Sequence, residues 1–516
     1  MELWFIFLLF SISLAFFLKS LINLLIPSSK SNNSKLPPGP RSFPFLGNIQ
    51  LIRSSFADLE PLLRRLRPIY GPIITLNIGP RKAIFIITPE LAHQALIHQG
   101  SAFADRPPAA PTSKIISSNQ HSISSASYGP VWRVLRRNLS SEILHPSRVK
   151  AFSHGRKWVL DVLIQNLRSE SGSDPDTRPV FVLLHFQYAM FCLLVFMCYG
   201  EKYDDKVIRE IQRVQKSQLL SFAKFAILNL LPKLGKILFR KKWAEFNKIH
   251  QDHVGVLLPL IKARQEKKLH HVKHATDENL GNVTAYVDTL FDLTLSEDGG
   301  RKLTDDEMVS LCSEFLNGGT DTTSTALQWI IAELVKNQDI QLKLFNQVKE
   351  VVSPDGEIKE EDLEKLPYLR AVVLEGLRRH PPGHFVLPHR VTQDVELDGY
   401  LIPKHASVNF FVAEIGLNPK VWEDPMEFRP ERFLGDKEGF DVTGSREIKM
   451  MPFGAGRRIC PGWGLALLHL EYFLANLVMN FMWTVEDGCE VDLSEKQEFT
   501  TVMKNPLKAC ITPRVK

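Results

Sequence analysis

The sequence predicts a mainly α protein with a minor β-sheet region, preceded by an N-terminal transmembrane helix. Three observations lead there: helical spacing of apolar residues along most of the chain, only two short regions of strand-like alternation, and an uncharged apolar run at the start. Composition is that of a globular protein, with 44% hydrophobic and 23% charged residues among 516. The 32 prolines and 29 glycines follow no collagen-like or low-complexity pattern, and no internal repeat is present. A large core is therefore possible.

Leu3 to Leu18 carry no charge, and beyond Lys19 the run resumes with Leu21, Ile22, Leu24, Leu25 and Ile26. As one helix of about 24 residues it spans a hydrocarbon layer of about 30 Å, with Lys19 snorkelling to the headgroups. A cleaved signal peptide is the competing reading; it expects a basic start, a shorter run and a small-residue cleavage site. The chain instead begins Met1-Glu2, and its positive residues Lys30, Lys35 and Arg41 follow the run. The expectation is an uncleaved single-pass anchor over residues 1–26, with the bulk of the chain on the cytoplasmic side. Residues 27–40 are polar and then proline-rich, ending Leu36-Pro37-Pro38-Gly39-Pro40, which suits a stiff hinge before a catalytic body over 41–516.

Six cysteines without a C-x-x-C pair fit a disulfide-poor compartment, where most such residues are small buried hydrophobes. The net charge of +6 is modest. Arg240-Lys241-Lys242 and Arg133 with Arg136-Arg137 suit anionic lipid or an acidic protein, a solvated face being the default for each, and no nucleic-acid motif is found.

Ile73 to Leu76 and Ala83 to Thr88, joined by Ile78-Gly79-Pro80, read as a hairpin; Val395 to Val412 reads as further short strands around Asp398-Gly399 and Pro403. Helical periods cover 130–144, 205–217, 241–266, 304–336, 339–352, 368–379 and 462–483. Leu219 to Phe239, apolar with interleaved lysines and a break at Pro232, reads either as a core helix pair or as a second membrane contact.

The chemistry centres on Pro452-Phe453-Gly454-Ala455-Gly456-Arg457-Arg458-Ile459-Cys460-Pro461-Gly462. Gly454 and Gly456 allow positive φ, and Pro461 suits the first position of a helix through Leu465, Leu468, Leu470 and Phe473. Cys460 would then stand at a helix N-terminus, which favours a thiolate. A catalytic nucleophile lacks a matching base pattern, and a phosphate loop lacks its third glycine, since position 459 is Ile. A metal thiolate fits best. No other Cys or His lies close enough in sequence to complete a zinc set, so the metal must bring most of its own ligands, as haem does.

Phe453-Gly454-x-Gly456-x-Arg458-x-Cys460-Pro461-Gly462 resembles the haem-binding loop of the cytochrome P450 superfamily at every defining position. The resemblance spans about residues 36–516, with its motifs in family order. It implies the cytochrome P450 fold and heme b, with Cys460 as the axial thiolate on iron, Phe453 beside the sulfur and Arg458 on a haem propionate. Trp132 and Arg136 resemble the family's W-x-x-x-R helix, whose side chains reach propionates; His389 is a further propionate candidate, with Arg390 as its rival.

Phe315-Leu-Asn-Gly-Gly-Thr-Asp-Thr-Thr-Ser-Thr325 lies in a helical pattern opening at Thr304, with Glu307 three residues on as a capping box. A glycine pair inside a helix costs about 1 kcal/mol per residue against alanine, so Gly318-Gly319 needs a reason. One reason is close helix packing. The other is that Thr322 bonds back to the Gly318 carbonyl, opening the helix into a groove for a diatomic ligand and a water. The run is similar to the family's A/G-G-x-D/E-T-T/S motif, which implies that Asp321 and Thr322 deliver protons to dioxygen. Glu375 and Arg378, three apart on a helix, would alone suggest a surface ion pair. With Pro430-Glu431-Arg432-Phe433 they resemble the family's Glu-x-x-Arg and Pro-Glu-Arg-Phe motifs, implying a buried charge network with Arg432.

Together the resemblance implies a haem-thiolate monooxygenase, inserting one atom of dioxygen into a small hydrophobic substrate. Electrons would come from NADPH through a flavoprotein reductase that docks on the Cys460 side at Arg133, Arg137 and Arg457. The anchor, the hinge and Tyr286-Val-Asp-Thr are similar to plant microsomal members, which implies the endoplasmic reticulum membrane. By analogy, pocket walls come from residues 103–125, Phe315, Phe385 to Leu387 and Phe499 to Val502, which are mostly apolar. Two rivals stand beside this reading: a reductase-independent haem-thiolate isomerase or lyase, and a non-enzymatic haem sensor. The Asp321-Thr322 pair disfavours both, because neither needs a proton relay.

Overall fold

The computed structural model describes residues 11, 14–15, 36–41, 58–78, 81–172, 178–229, 235–273, 283–295, 299–352, 357–435, 439–486 and 488–514. Most of the expected anchor and most of the hinge lie outside the described residues. The chain forms two compact units, one of Met1–Pro107 with Phe385–Ile415, the other of Pro108–His384 with Gly416–Lys516.

The first unit is built on a small sheet. Helix α1 (Leu59–Tyr70) places Leu59, Leu62, Leu63 and Leu66 on one buried stripe at helical spacing. Strands β1 (Ile73–Ile78) and β2 (Arg81–Ile86) pair antiparallel, Ile74 opposite Phe85, as the expected hairpin requires. Strand β3 (His389–Arg390) and strand β4 (Ser407–Phe410) complete the sheet in the order β1-β2-β4-β3, with β4 parallel to β2. The leucines of α1 pack on Ile74, Leu76, Phe85 and Phe411. The expected turn at Asp398-Gly399 joins two three-residue strands, both turn residues having positive φ, 52° and 73°.

The second unit is helical. Its longer helices are α2 (Pro130–Glu142), α3 (Ser153–Ser171), α4 (Val182–Tyr199), α5 (Asp205–Lys224), α6 (Arg240–Lys273), α7 (Asp305–Lys336), α8 (Gln338–Val351), α9 (Pro367–Arg379) and α10 (Trp463–Asn480). Helix α7 opens with the expected capping box: Thr304 Oγ1 accepts from the Glu307 N–H, and the Glu307 carboxylate accepts from the Thr304 N–H. One core surrounds α4, α7 and α10. Helix α4 is apolar on every side and 72% buried. It alone among the described residues has the length and apolarity to cross a membrane, and its burial marks it as a core helix.

One expectation of secondary structure needs correction. The helical period through 483 overruns: α10 stops at Asn480, and Phe481–Thr484 is a strand paired with Lys508–Pro513. A continuously apolar run carries no period that separates a buried helix from a buried strand. The described part of the segment from Leu219 to Phe239 has a buried side and an exposed side. Phe225 and Leu228 form a buried cluster with Trp243 and Phe246, while Leu220, Phe222, Ile237 and Leu238 are exposed.

Candidate active site

The cysteine loop folds as its glycines require. Gly454 and Gly456 hold φ of 70° and 69°, which lets the chain fold back until the Cys460 N–H donates to the Phe453 carbonyl at 2.8 Å. Pro461 is not the first helical residue: Gly462 caps α10, which starts at Trp463, so Cys460 precedes the helix. Burial pushes the Cys460 thiol up, with the Gly462 N–H and the Arg136 charge pulling it down. The sulfur is closely surrounded even though the residue as a whole keeps some accessible surface. Protein groups alone thus favour the thiol, and the thiolate expected from helix position needs a cationic metal.

Beside this loop lies a cluster of arginines and aromatic rings. The Arg458 guanidinium sits 4.4 Å from the Trp132 ring centre and donates to the carbonyls of Ala126 at 2.7 Å and Ile123 at 3.3 Å. Tyr128 lies 5.3 Å from Trp132, with Arg133 and Arg457 over its ring at 5.4 and 5.6 Å. Trp132 is buried, yet its indole N–H has no hydrogen-bond partner among the described residues. Arg136, one turn along α2, makes no hydrogen bond or ion pair among the described residues, and burial lowers its pKa. An orphaned indole donor and an unpaired, partly buried cation are costly unless an anion answers them. A haem propionate is such an anion, so the residues fit the group.

Helix α7 carries the other half of the chemistry. The Thr322 hydroxyl donates back to the Gly318 carbonyl at 2.8 Å, as the sequence predicts, but the helix runs unbroken through this point. The two glycines divide the two explanations between them. A Cβ on Gly319 would lie 2.6 Å from Leu194 Cδ1 of α4, so Gly319 serves helix packing; a Cβ on Gly318 would meet nothing within 4 Å, so open space adjoins the helix there. Burial raises the pKa of Asp321, opposed by Gln187, whose amide donates to Asp321 Oδ1 at 3.2 Å, and by the charge of Lys216. Further along α7, Thr325 meets Thr500 at 3.1 Å and the Trp329 indole donates to the Thr501 carbonyl at 2.9 Å. These contacts tie the 499–502 segment to the helix.

Glu375 and Arg378 are fully buried rather than on the surface, and Arg432 reaches Glu375 at 3.2 Å, closing the triad. In the first unit, His389 is buried with Nδ1 2.6 Å from the Phe103 carbonyl. Arg390 is engaged by Asp105 at 3.6 Å and His405 at 2.7 Å.

Tyr128, Gln187 and Glu314 take part in this architecture, and sequence reasoning did not find them. Each works through a partner more than one hundred residues away, a relation that no local pattern records.

A cysteine loop walled by propionate-seeking donors, on a largely helical body with an acid-hydroxyl pair on its long helix, defines the haem-thiolate class. The chain belongs to the cytochrome P450 family, whose sequence model matches residues 37–512. It is 51% identical over 495 residues to cytochrome P450 89A9 of Arabidopsis thaliana, covering 93% of this chain and 94% of that protein. It is 30% identical over 493 residues to flavonoid 3'-monooxygenase of the same plant, covering 94% and 93%. A solved zebrafish cytochrome P450 with progesterone shares the fold at a TM-score of 0.70 and 23% identity, over 88% of this chain and 99% of that one. The protein is thus a cytochrome P450 monooxygenase, of a family that carries haem on a thiolate.

Proposed function

We propose that this monooxygenase inserts one atom of dioxygen into a small hydrophobic substrate, with electrons supplied by NADPH through a flavoprotein reductase. The observation that carries the reading is the half-buried Asp321 next to Thr322 on α7, one turn from the open side of Gly318. Haem, when bound, supplies dioxygen activation, and its thiolate favours O–O cleavage. The chain's own residues bind, orient and move protons.

Asp321 is the proton carrier. Burial raises the proton affinity of its carboxyl above the ordinary value, and Gln187 fixes one oxygen. Thr322 passes that proton on by turning its hydroxyl from the Gly318 carbonyl toward the groove. Trp132, Arg136 and Arg458 hold propionate charge, and Phe453 packs beside the sulfur of Cys460. His389 is proposed for a propionate on sequence grounds, with Arg390 as its rival. Phe315 and the 499–502 segment supply apolar walls, which suits a hydrophobic substrate.

Residues 1–26 are proposed as a single-pass anchor in the endoplasmic reticulum membrane, with the body in the cytoplasm. Exposed Leu220, Phe222, Ile237 and Leu238 support a second contact with that membrane. Exposed Arg133, Arg137 and Arg457 are proposed to receive the reductase.

The test is NADPH-dependent oxygen consumption with a plant reductase, comparing the parent with Thr322→Ala and Asp321→Asn. Product per NADPH should fall in both variants, by about tenfold or more, the scale of proton-transfer catalysis. Parent-like turnover in both would remove the relay. A Soret band of the reduced, carbon monoxide-treated protein at the position of histidine-ligated pigments would remove the thiolate.

A further inference from the structure

Ser118, Asn119 and Gln120 are three successive non-glycine residues with positive φ, 45°, 62° and 68°. Such strain persists only where surrounding contacts enforce it. Here the enforcing element is α7. The Ser118 hydroxyl donates to the Asp306 carbonyl at 2.8 Å, His121 Nδ1 lies 2.5 Å from Glu307, and the Ser310 hydroxyl donates to the Ile116 carbonyl at 3.1 Å. One turn further on, Glu314 accepts from the backbone N–H of Ile123 at 2.8 Å and of Ser124 at 2.7 Å, one bond to each carboxylate oxygen. Glu307, Ser310 and Glu314 share one face of the helix, at spacings of three and four.

The last tether differs from the others in what stands behind it. Ile123, whose N–H is held by Glu314, gives its carbonyl to Arg458, and Ala126 three residues on gives a second. A carboxylate on α7 and a guanidinium on the cysteine loop therefore grip the same short backbone from opposite ends, joined by charge-assisted bonds. Releasing the carboxylate frees the carbonyls that aim the guanidinium.

We propose that Glu314 is a positioning residue for haem: it fixes residues 122–126, these fix Arg458, and Arg458 holds the propionate. The inference rests on reading Arg458 as the propionate arginine. It makes the long helix a support for the cofactor's edge as well as the carrier of Asp321, seven residues further along the same face.

Haem release from the purified holoenzyme into excess apomyoglobin tests this, using Glu314→Ala, Glu314→Gln, Arg458→Ala and the Glu314→Ala/Arg458→Ala double variant. Glu314→Ala should release haem about tenfold faster, the scale of one lost charge-assisted bond. Glu314→Gln should be intermediate, because its amide oxygen can still accept one N–H. The double variant should be no faster than Arg458→Ala alone, and hydrogen exchange at the Ile123 and Ser124 amides should quicken in Glu314→Ala. Release from Glu314→Ala at the parent rate, while Arg458→Ala is fast, overturns the role of Glu314 alone. Parent-like release from Arg458→Ala overturns the propionate reading and the proposal with it. Effects that multiply in the double variant show that Glu314 acts by another route and also overturn it. If Glu314→Ala does not fold, Glu314→Gln with amide exchange decides between the same outcomes.

Discussion

Arg378 grips Glu375 through two parallel bonds of 2.6 and 2.8 Å, with neither side chain exposed to solvent. The rest of the guanidinium is used as well: it donates to the carbonyls of Gly416 and Pro425, each at 2.9 Å, and of Glu427 at 3.2 Å. Glu375 in turn accepts from the Arg429 N–H at 2.8 Å and from Arg432 at 3.2 Å. Desolvated charges are tolerable here because each Arg378 nitrogen has an acceptor and both Glu375 oxygens have a donor. Removing one member leaves an uncompensated buried charge, so Glu375→Ala or Arg378→Ala should each destabilise the protein by about 3–5 kcal/mol. Thermal unfolding with haem content checks this, and losses below about 1 kcal/mol would return the pair to the status of a surface bridge.

Gly318 and Gly319 should separate cleanly on substitution. Gly319→Ala drives a methyl to 2.6 Å from Leu194 Cδ1 and must displace that side chain within the packed core, costing about 1–3 kcal/mol. Gly318→Ala meets nothing within 4 Å and removes glycine's helix penalty, so it should stabilise by about 0.5–1 kcal/mol. It also puts a methyl into the groove beside Thr322, so ligand affinity and turnover should fall while the melting temperature rises. Spectral titration and calorimetry on the two variants give opposite orders for stability and for binding.

These neighbouring glycines show how far a sequence can be read. That the pair needed a reason was visible, as was the back-bond of Thr322, because helix geometry fixes which residues lie four apart. Which glycine served which purpose was not visible, since Leu194 stands on another helix, more than one hundred residues away. The same division runs through the molecule. The β1-β2 hairpin and the amphipathic helix α5 were legible from local alternation and period. Helix α4, apolar all round, and the strand following α10 were not, because uniform apolarity has no period. At Cys460 the loop and its ligand chemistry were legible, while the balance of burial against helix position that sets its proton affinity needed the folded surroundings.

Glu307 should give the protein an acid-sensitive step. Burial alone would raise its carboxyl, but Arg301, the Thr304 N–H and His121 outweigh it and hold the group down at about 2, against an ordinary 4.5. A carboxyl depressed in the folded state binds fewer protons there than when unfolded. Its stabilisation is therefore complete above 4.5 and is lost as pH falls from 4.5 toward 2. Glu307→Gln should be less stable than the parent at neutral pH by about 1–3 kcal/mol, the scale of hydrogen bonds to a charged group. The gap should close across that acid window, as followed by urea midpoints from pH 6 downward. A gap that stays constant between about pH 5 and pH 3 would show that the carboxylate charge is not the source.

Arg133 and Arg457 face the same ring, Tyr128, from 5.4 and 5.6 Å, and Arg457 also donates to its hydroxyl. Holding two like charges against one aromatic ring concentrates positive potential beside the cysteine loop, with Arg137 one helical turn further along α2. If this patch receives an acidic reductase, association should weaken as ionic strength rises, because the screening length falls to about 10 Å at 0.1 M salt. Each of Arg133→Ala, Arg137→Ala and Arg457→Ala should raise the reductase concentration needed for half-maximal turnover by a few-fold, an exposed pair contributing about 0.2–1 kcal/mol. Each should also flatten the salt dependence while leaving substrate-induced spectral shifts unchanged. Tyr128→Phe keeps the ring and loses only the hydroxyl contact, so it should retain most of the salt response. Titrating reductase into each variant at several salt concentrations separates the patch from a general effect of charge: equal slopes in all four variants and the parent would place the docking face elsewhere.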